Sequence, residues 1–300
     1  MALLHRVEDF LGRAGYGPRL VPTTGPETAG LLARQAIAED ADLILAAGGD
    51  GTINEVAEGM VHSSVPLGIL PAGTANVLAT EMGLGSRMER VAARLDGCHA
   101  ERISVGRLTC DRGAARARHF LLMAGAGLDA HIVYHVNPRL KAFSGKLSYW
   151  VAGFSLLGHT LAEFQVEAGG QARTCSFALI SRVRNYGGDL EIARSTSLFD
   201  DQFEIVLFEG SRSFRYLKYL GGVLLRRAAG LRGVSVLRTR KVSLSGPAGC
   251  PVHLQIDGEY AGLLPGSVEL VPDALTLLIP PEYFRKHSRE WAPQPVHQHP

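Results

Sequence analysis

The chain runs twice from a short apolar segment through a glycine-rich turn into a helical pattern. Residues 43–47 lead into Gly48-Gly49-Asp50-Gly51-Thr52 and a predicted helix over residues 53–60. Residues 65–70 lead into Pro71-Ala72-Gly73-Thr74-Ala75-Asn76 and a predicted helix over residues 77–82. Wholly apolar runs flanked by helices read as strands buried on both faces, as in a parallel sheet. Strand, glycine turn, helix, repeated, is the pattern of an open α/β sheet, which binds ligands at the carboxyl ends of its strands. Upstream, helices are predicted over residues 5–15 and 28–38, with a short strand over residues 18–22.

Past residue 100 the pattern changes to many short strands, over residues 103–108, 120–126, 164–167, 174–183, 203–209, 234–237, 241–245, 252–256 and 267–279. Two helical patterns, 146–161 and 214–229, interrupt them. Strands at such intervals predict an antiparallel sandwich or barrel. The expected organisation is therefore an α/β domain over residues 1–98, an all-β sandwich over 99–285 and a polar, disordered tail over 286–300.

Composition narrows the function. With 300 residues the chain has room for two domains, and 46% hydrophobic against 20% charged residues is globular. Lysines and arginines number 31 against 29 acids, a formal charge of +2, which argues against a nucleic-acid partner. Cys98, Cys110, Cys175 and Cys250 form no CxxC pair, which excludes a close-spaced zinc or redox motif. The best apolar stretch, residues 147–157, falls well short of the roughly 20 residues that cross a bilayer. The charged N-terminus is not a signal peptide, so a cytoplasmic protein is expected.

The sharpest chemical signal is Gly48-Gly49-Asp50-Gly51-Thr52. Glycines admit positive φ and close approach of a ligand, and the following helix offers free N–H groups to phosphate. Thr52 and Glu55 have capping-box spacing. A carboxylate beside polyphosphate makes sense if Asp50 faces Mg²⁺ or a ribose or substrate hydroxyl. A GxGxxG reading fails because Asn54 stands where the third glycine belongs, and no GxxxxGK[ST] exists. In the second turn Thr74 is placed to cap its helix and donate to phosphate, lining the same crevice. Downstream, Asp257-Gly258 with apolar flanks reads on spacing alone as a hairpin turn.

GGDGTINEV followed by PAGTANVLA resembles the signature of the diacylglycerol kinase catalytic domain, which bacterial lipid kinases share with sphingosine and ceramide kinases. The resemblance runs from about residue 5 to residue 282. It implies an ATP-dependent kinase of a lipid hydroxyl, cytosolic, touching the membrane surface peripherally, with ATP phosphates at Gly48, Gly49, Asp50, Gly51, Thr52, Asn54 and Thr74. The DGE element, Asp257-Gly258-Glu259, would supply the base, Asp257, with Glu259 supporting metal or water. A carboxylate of ordinary pKa suffices for an alcohol that loses its proton late. Gly125-Ala126-Gly127-Leu128-Asp129-Ala130 resembles the family's GxGFDA element and would bring Asp129 into an aspartate–water–Mg²⁺ network. Asp200, with the carbonyls of Ser197 and Gln202, matches a structural Mg²⁺ loop, although Asp201 stands where glycine is usual. Arg184-Asn185-Tyr186-Gly187-Gly188 matches a further family stretch, read as a loop near the cleft.

The match departs at the start. Family members usually begin with a strand ending in NPxSG, whereas this sequence aligns from the helix after it; the missing strand would leave a sheet edge unpaired. The family threonine after the second strand corresponds to Thr23 or Thr24, and spacing favours Thr23. Two other readings stay open, an NAD kinase-like enzyme sharing GGDGT and a non-catalytic nucleotide- or lipid-binding relic. The basic stretch 212–227 reads as one packed helix with a solvated side rather than a membrane-docking face. The lipid and the oligomeric state, a homodimer included, are open.

Overall fold

The computed structural model describes residues 2–112, 117–127, 130, 161–186, 191–212, 218–219, 221–222, 230–247 and 249–288. Both interrupting helical patterns and Asp129 lie outside the described residues, wholly or for the most part.

The N-terminal part holds α1 (Ala2–Arg13), α2 (Ala29–Ala38), β1 (Ile44–Gly48), α3 (Asp50–Met60), β2 (Leu67–Pro71), α4 (Val77–Glu81) and α5 (Met88–Ala92). β1 and β2 are parallel, Ile44 opposite Leu67. The turns leaving them thus emerge at the same sheet end. β2 is buried along its length, whereas only Ala46 of β1 is buried, because among the described strands β1 pairs with β2 alone. The strand predicted over residues 18–22 does not form. That segment is irregular and Val21 is 41% exposed. α5 is an element that the sequence pattern does not announce; its Met88, Val91 and Ala92 share a small core with Val7 and Leu11 of α1. α2 crosses α3 closely, since a Cβ on Gly59 would lie 2.2 Å from the Gly30 carbonyl oxygen.

The antiparallel part contains β3 (His99–Arg112), β4 (Arg118–Phe120), β5 (Met123–Gly127), β6 (Phe164–Ala168), β7 (Gln171–Cys175), β8 (Phe177–Ser181), β9 (Phe203–Phe208), β10 (Val234–Thr239), β11 (Lys241–Ser245), β12 (His253–Ile256) and β13 (Glu259–Ile279). Their order is β10-β9-β8-β5-β12-β13-β11-β6-β7, with β3 and β4 on the other edge of β13. Strand alternation sorts side chains between two cores. In β8, Ala178 and Ile180 face the sandwich interior, while Phe177 and Leu179 join the core that includes Ile53, Leu67 and Ile69. β8 and β9 are therefore buried on both faces. The region expected to be an antiparallel sandwich is one, and it is welded to the α/β part: Leu277 of β13 pairs with Leu67 of β2.

A final helix, α6 (Pro281–His287), replaces the start of the expected disordered tail. His287 is 3% exposed and packs on the Tyr283 ring at 4.3 Å. Residues 289–300 lie outside the described residues.

Candidate active site

The two glycine turns touch. The Ala72 N–H donates to the Gly48 carbonyl (2.9 Å), and a Cβ on Gly73 would lie 2.5 Å from Gly49 Cα. Gly48, Gly49, Gly51 and Gly73 all avoid positive φ, contrary to expectation. They are needed for close approach instead: a Cβ on Gly48 would fall 2.6 Å from Thr52 Cβ. α3 starts at Asp50, earlier than predicted, behind an extended Gly49 (φ −86°, ψ 179°). The first helical bond is Ile53 N–H to the Gly49 carbonyl (3.0 Å), so the N–H groups of Asp50, Gly51 and Thr52 have no acceptor within the helix.

Several side chains take other roles than expected. The Thr52–Glu55 capping box does not form, because the Glu55 carboxylate accepts the N–H groups of Glu27 (3.0 Å) and Ala29 (3.2 Å) at the start of α2. Thr74 caps nothing. Asn76 precedes α4 in the left-handed region (φ 45°) and closes back onto Gly73 by two bonds of 2.8 Å. The cap of α4 is Asp50, whose oxygens accept from Val77 (3.0 Å) and Leu78 (3.2 Å). Asp50 thus fastens one turn to the other, a role that local spacing does not suggest. Asn54 is buried and donates to the His119 carbonyl (3.4 Å), on the interior side of α3 rather than toward ligand. Thr23 is exposed on the irregular segment.

The acidic hairpin meets these turns. Asp257 (φ 47°) and Gly258 (φ 80°) form the two-residue turn between β12 and β13, with Ile256 opposite Glu259. Positive φ at both central positions is tolerated by aspartate and glycine. The Asp257 carboxylate accepts three backbone N–H groups, those of Leu122 (3.0 Å) and Met123 (2.9 Å) on Oδ1 and that of Leu121 (2.9 Å) on Oδ2. A carboxylate offers about four lone-pair sites, so Oδ2 keeps one. Burial pushes the Asp257 pKa up to about 7; the three N–H donors oppose the rise and the charge of Asp50 adds to it. Its pKa is therefore not that of an ordinary carboxylate, although an ordinary one would suffice for the chemistry. Glu259 completes the junction, since its Oε1 sits 2.8 Å from where a Cβ on Gly51 would stand. Its Oε2 accepts from Arg118 Nη2 (3.0 Å).

The expected structural-metal loop is wired differently. Asp200 Oδ1 accepts the Ser197 hydroxyl (2.9 Å), and its Oδ2 accepts from Arg238. The Ser197 carbonyl, an expected ligand, accepts the Asp200 N–H (3.1 Å). Asp201, in the usual glycine position, pairs with Arg240. An arginine thus neutralises Asp200, and the Asp200 carboxylate and Ser197 carbonyl are turned to protein partners, so the loop as folded does not fit a Mg²⁺ site built on Asp200 with the carbonyls of Ser197 and Gln202. Among the described residues no group of three His, Cys, Asp or Glu side chains is placed to hold a metal.

Sequence reasoning missed three charged residues. Arg118 lies in an alanine- and arginine-rich stretch without pattern. Glu81 is 4% exposed and accepts from Arg184 N–H (3.0 Å) and Nε (3.2 Å), Asn185 Nδ2 (3.0 Å) and the Tyr283 hydroxyl (3.3 Å). This brings the Arg184-Asn185 loop to the far end of α4. Arg182 is buried; its guanidinium donates to the carbonyls of Ser104 and Leu198, and its backbone N–H to Leu122 (2.9 Å). Burial lowers its pKa to about 10. All three have long-range partners that local spacing does not reveal.

Comparison with known proteins agrees with this geometry. Residues 1–108 match the family model described as diacylglycerol kinase catalytic domain, and residues 123–279 that described as YegS C-terminal NAD kinase beta sandwich-like domain. The chain is 27% identical over 270 residues to the diacylglycerol kinase of Bacillus subtilis, covering 88% of this chain and 86% of that protein. It is 28% identical over 255 residues to that of Mycobacterium tuberculosis, covering 83% and 80%. A crystal structure of a diacylglycerol kinase from Bacillus anthracis superposes with a TM-score of 0.69 at 20% identity, over 87% of this chain and 85% of that one. Two touching glycine turns, an acidic hairpin against them and both domain matches lead to one assignment: the chain belongs to the diacylglycerol kinase catalytic-domain family.

Proposed function

We propose that the chain is an ATP-dependent lipid kinase acting on a primary hydroxyl of the diacylglycerol type, with Asp257 as general base. One observation carries the reading. The Glu259 carboxylate lies against Gly51, so a triphosphate held at the glycine turns and an alcohol held at the hairpin would share one cleft.

ATP enters as its Mg²⁺ complex, the ion being part of the substrate. Its phosphates lie over the N–H groups of Asp50, Gly51 and Thr52, which the start of α3 leaves without helical partners. The acceptor hydroxyl donates to the open lone pair of Asp257 Oδ2. Leu121, Leu122 and Met123 hold that carboxylate in one orientation, so no side-chain rotation precedes proton transfer. A pKa near 7 keeps the group basic at neutral pH and still a competent acceptor. Among the described residues no helix is long and apolar enough to cross a membrane. The reading needs only peripheral contact of a cytoplasmic enzyme with a lipid surface.

The test is transfer of label from γ-labelled ATP to diacylglycerol, phosphatidylglycerol, a sphingoid base and ceramide in mixed micelles, with NAD as the competing acceptor. Label is expected in a lipid product, and Asp257→Asn is expected to abolish transfer while MgATP still binds. Label appearing only in NADP, or in no product, would overturn the lipid-kinase reading. Normal turnover by Asp257→Asn would overturn the base.

A further inference from the structure

Three carboxylates, those of Asp50, Asp257 and Glu259, converge where a triphosphate would lie, and neither glycine turn contains a lysine or arginine. A charged phosphoryl group moving through such a place needs a fixed cation from the protein as well as the one it brings. Arg118 answers that need by position. Its Nη2 donates to Glu259 Oε2 (3.0 Å) while the other oxygen of that carboxylate abuts Gly51, so the guanidinium stands one carboxylate away from the first glycine turn. Its Nη1 donates to the Tyr260 carbonyl (3.3 Å). A guanidinium carries five N–H donors, so these two bonds leave others for a ligand, and the Arg118 side chain remains 32% exposed.

The backbone that carries Arg118 is held in register with both halves of the site. Three residues on, the same segment supplies the N–H cradle of Asp257. The next residue, His119, is fastened to α3: its N–H donates to Glu58 Oε2 (2.6 Å), its Nδ1 lies 3.2 Å from Glu58 Oε1, and its carbonyl accepts from Asn54. α3 is the helix whose start forms the glycine turn. A residue serving only as a surface ion-pair partner would not require such fastening on either side.

We propose that Arg118 is a catalytic residue of the kinase reaction, its guanidinium binding the oxygens of the γ-phosphoryl group during transfer while Glu259 aims it. This rests on the kinase reading above. In the step it assists, the acceptor oxygen forms a bond to Pγ and its proton passes to Asp257 Oδ2. The bond from Pγ to the β–γ bridging oxygen breaks, and its electron pair leaves on ADP. Arg118 bonds to oxygens that stay on phosphorus throughout, so it gains most when charge shifts across the transferring group.

The experiment compares wild type, Arg118→Ala and Arg118→Lys in turnover, in binding of MgADP and in binding of MgADP with aluminium fluoride, a mimic of the transferring group. Arg118→Ala is expected to lower kcat about 100-fold or more. MgADP affinity should change less than about threefold, and the added affinity from aluminium fluoride should be lost. Lysine should restore part of kcat, and free guanidinium ion should partly rescue the alanine variant. Retention of kcat within about threefold, or equal loss of MgADP and aluminium fluoride binding, would overturn the role. A variant that does not fold is recognised by its melting curve, and Arg118→Lys then decides through the same binding comparison. A wild type that turns over no acceptor fails the kinase reading, whereas an active wild type with an unimpaired alanine variant fails Arg118 alone.

Discussion

In the proposed reaction, the Asp257 carboxylate that closes the hairpin onto residues 121–123 is also the base. The turn it occupies is legible in sequence, since Asp-Gly between apolar runs forms a two-residue hairpin. Its cradle at residues 121–123 is not, because nothing local links positions so far apart. The cradle explains how a half-buried carboxylate is held, and its partial removal from water explains a pKa of about 7. Only the ionised carboxylate accepts a proton, and that form is lost as pH falls below this value. The acid limb of kcat/KM should therefore fall with a midpoint near pH 7, whereas an ordinary carboxylate would place it near pH 4. A limb near pH 4 in a steady-state profile would contradict the assignment. For stability the sign is opposite. A raised folded-state pKa gives a contribution fully present below the ordinary 3.8 and lost as pH rises through about 7.

At the scale of elements, sequence pattern locates the pieces and misassigns their fastenings. Both strand–turn–helix units form within a few residues of their predicted bounds. The caps do not follow local spacing: Glu55 serves α2, and Asp50 serves α4. A capping side chain goes to the nearest unpaired N–H group, and tertiary packing rather than sequence distance decides which that is. The short α4 is consequently held at both ends, by Asp50 at its start and by the Glu81 cluster at its finish. Glu81→Ala would leave Arg184, Asn185 and Tyr283 without their shared acceptor, and should cost about 3 kcal/mol in urea unfolding. A loss under about 0.5 kcal/mol, the range of ordinary surface substitutions, would show that the cluster does not hold α4. The loop after Ser197 makes a parallel point. A motif match assigns Asp200 to Mg²⁺, but Arg238 and Arg240, distant in sequence, supply the positive charge. Wild-type melting temperature should therefore not move between EDTA and millimolar Mg²⁺. Arg238→Gln should lower it by an amount that matches about 1 kcal/mol or less, as the pair is partly exposed. A wild type that melts lower in EDTA would show that the ion is needed after all.

On the scale of the whole molecule, two sequence textures mark two domains, but the chain does not build two independent bodies. β13 leaves the acidic hairpin within the sandwich, pairs along β3 from Leu263 opposite Arg112 to Ile279 opposite His99, and touches β2 at its far end. One core contains Ile53 and Leu67 from the α/β part together with Leu179, Val206 and Leu275 from the strands beyond it. Removing residues past 98 would strip β2 of its β13 neighbour and expose that shared core to water, at about 25 cal/mol for each Å² of apolar surface. The composition change near residue 100 cannot reveal this, because a returning strand carries the same alternation whether it pairs inside its own domain or outside it. A fragment of residues 1–98 is thus expected to lack a cooperative melting transition, and the full chain to unfold in one calorimetric step with equal van't Hoff and calorimetric enthalpies. Two resolved transitions, or a folded fragment, would mean that the strand pairing joins the halves without coupling them. The same coupling bears on the candidate site: the hairpin that presents Asp257 leads directly into the strand that reaches β2, so the distance between Asp257 and the glycine turns is set by the fold itself.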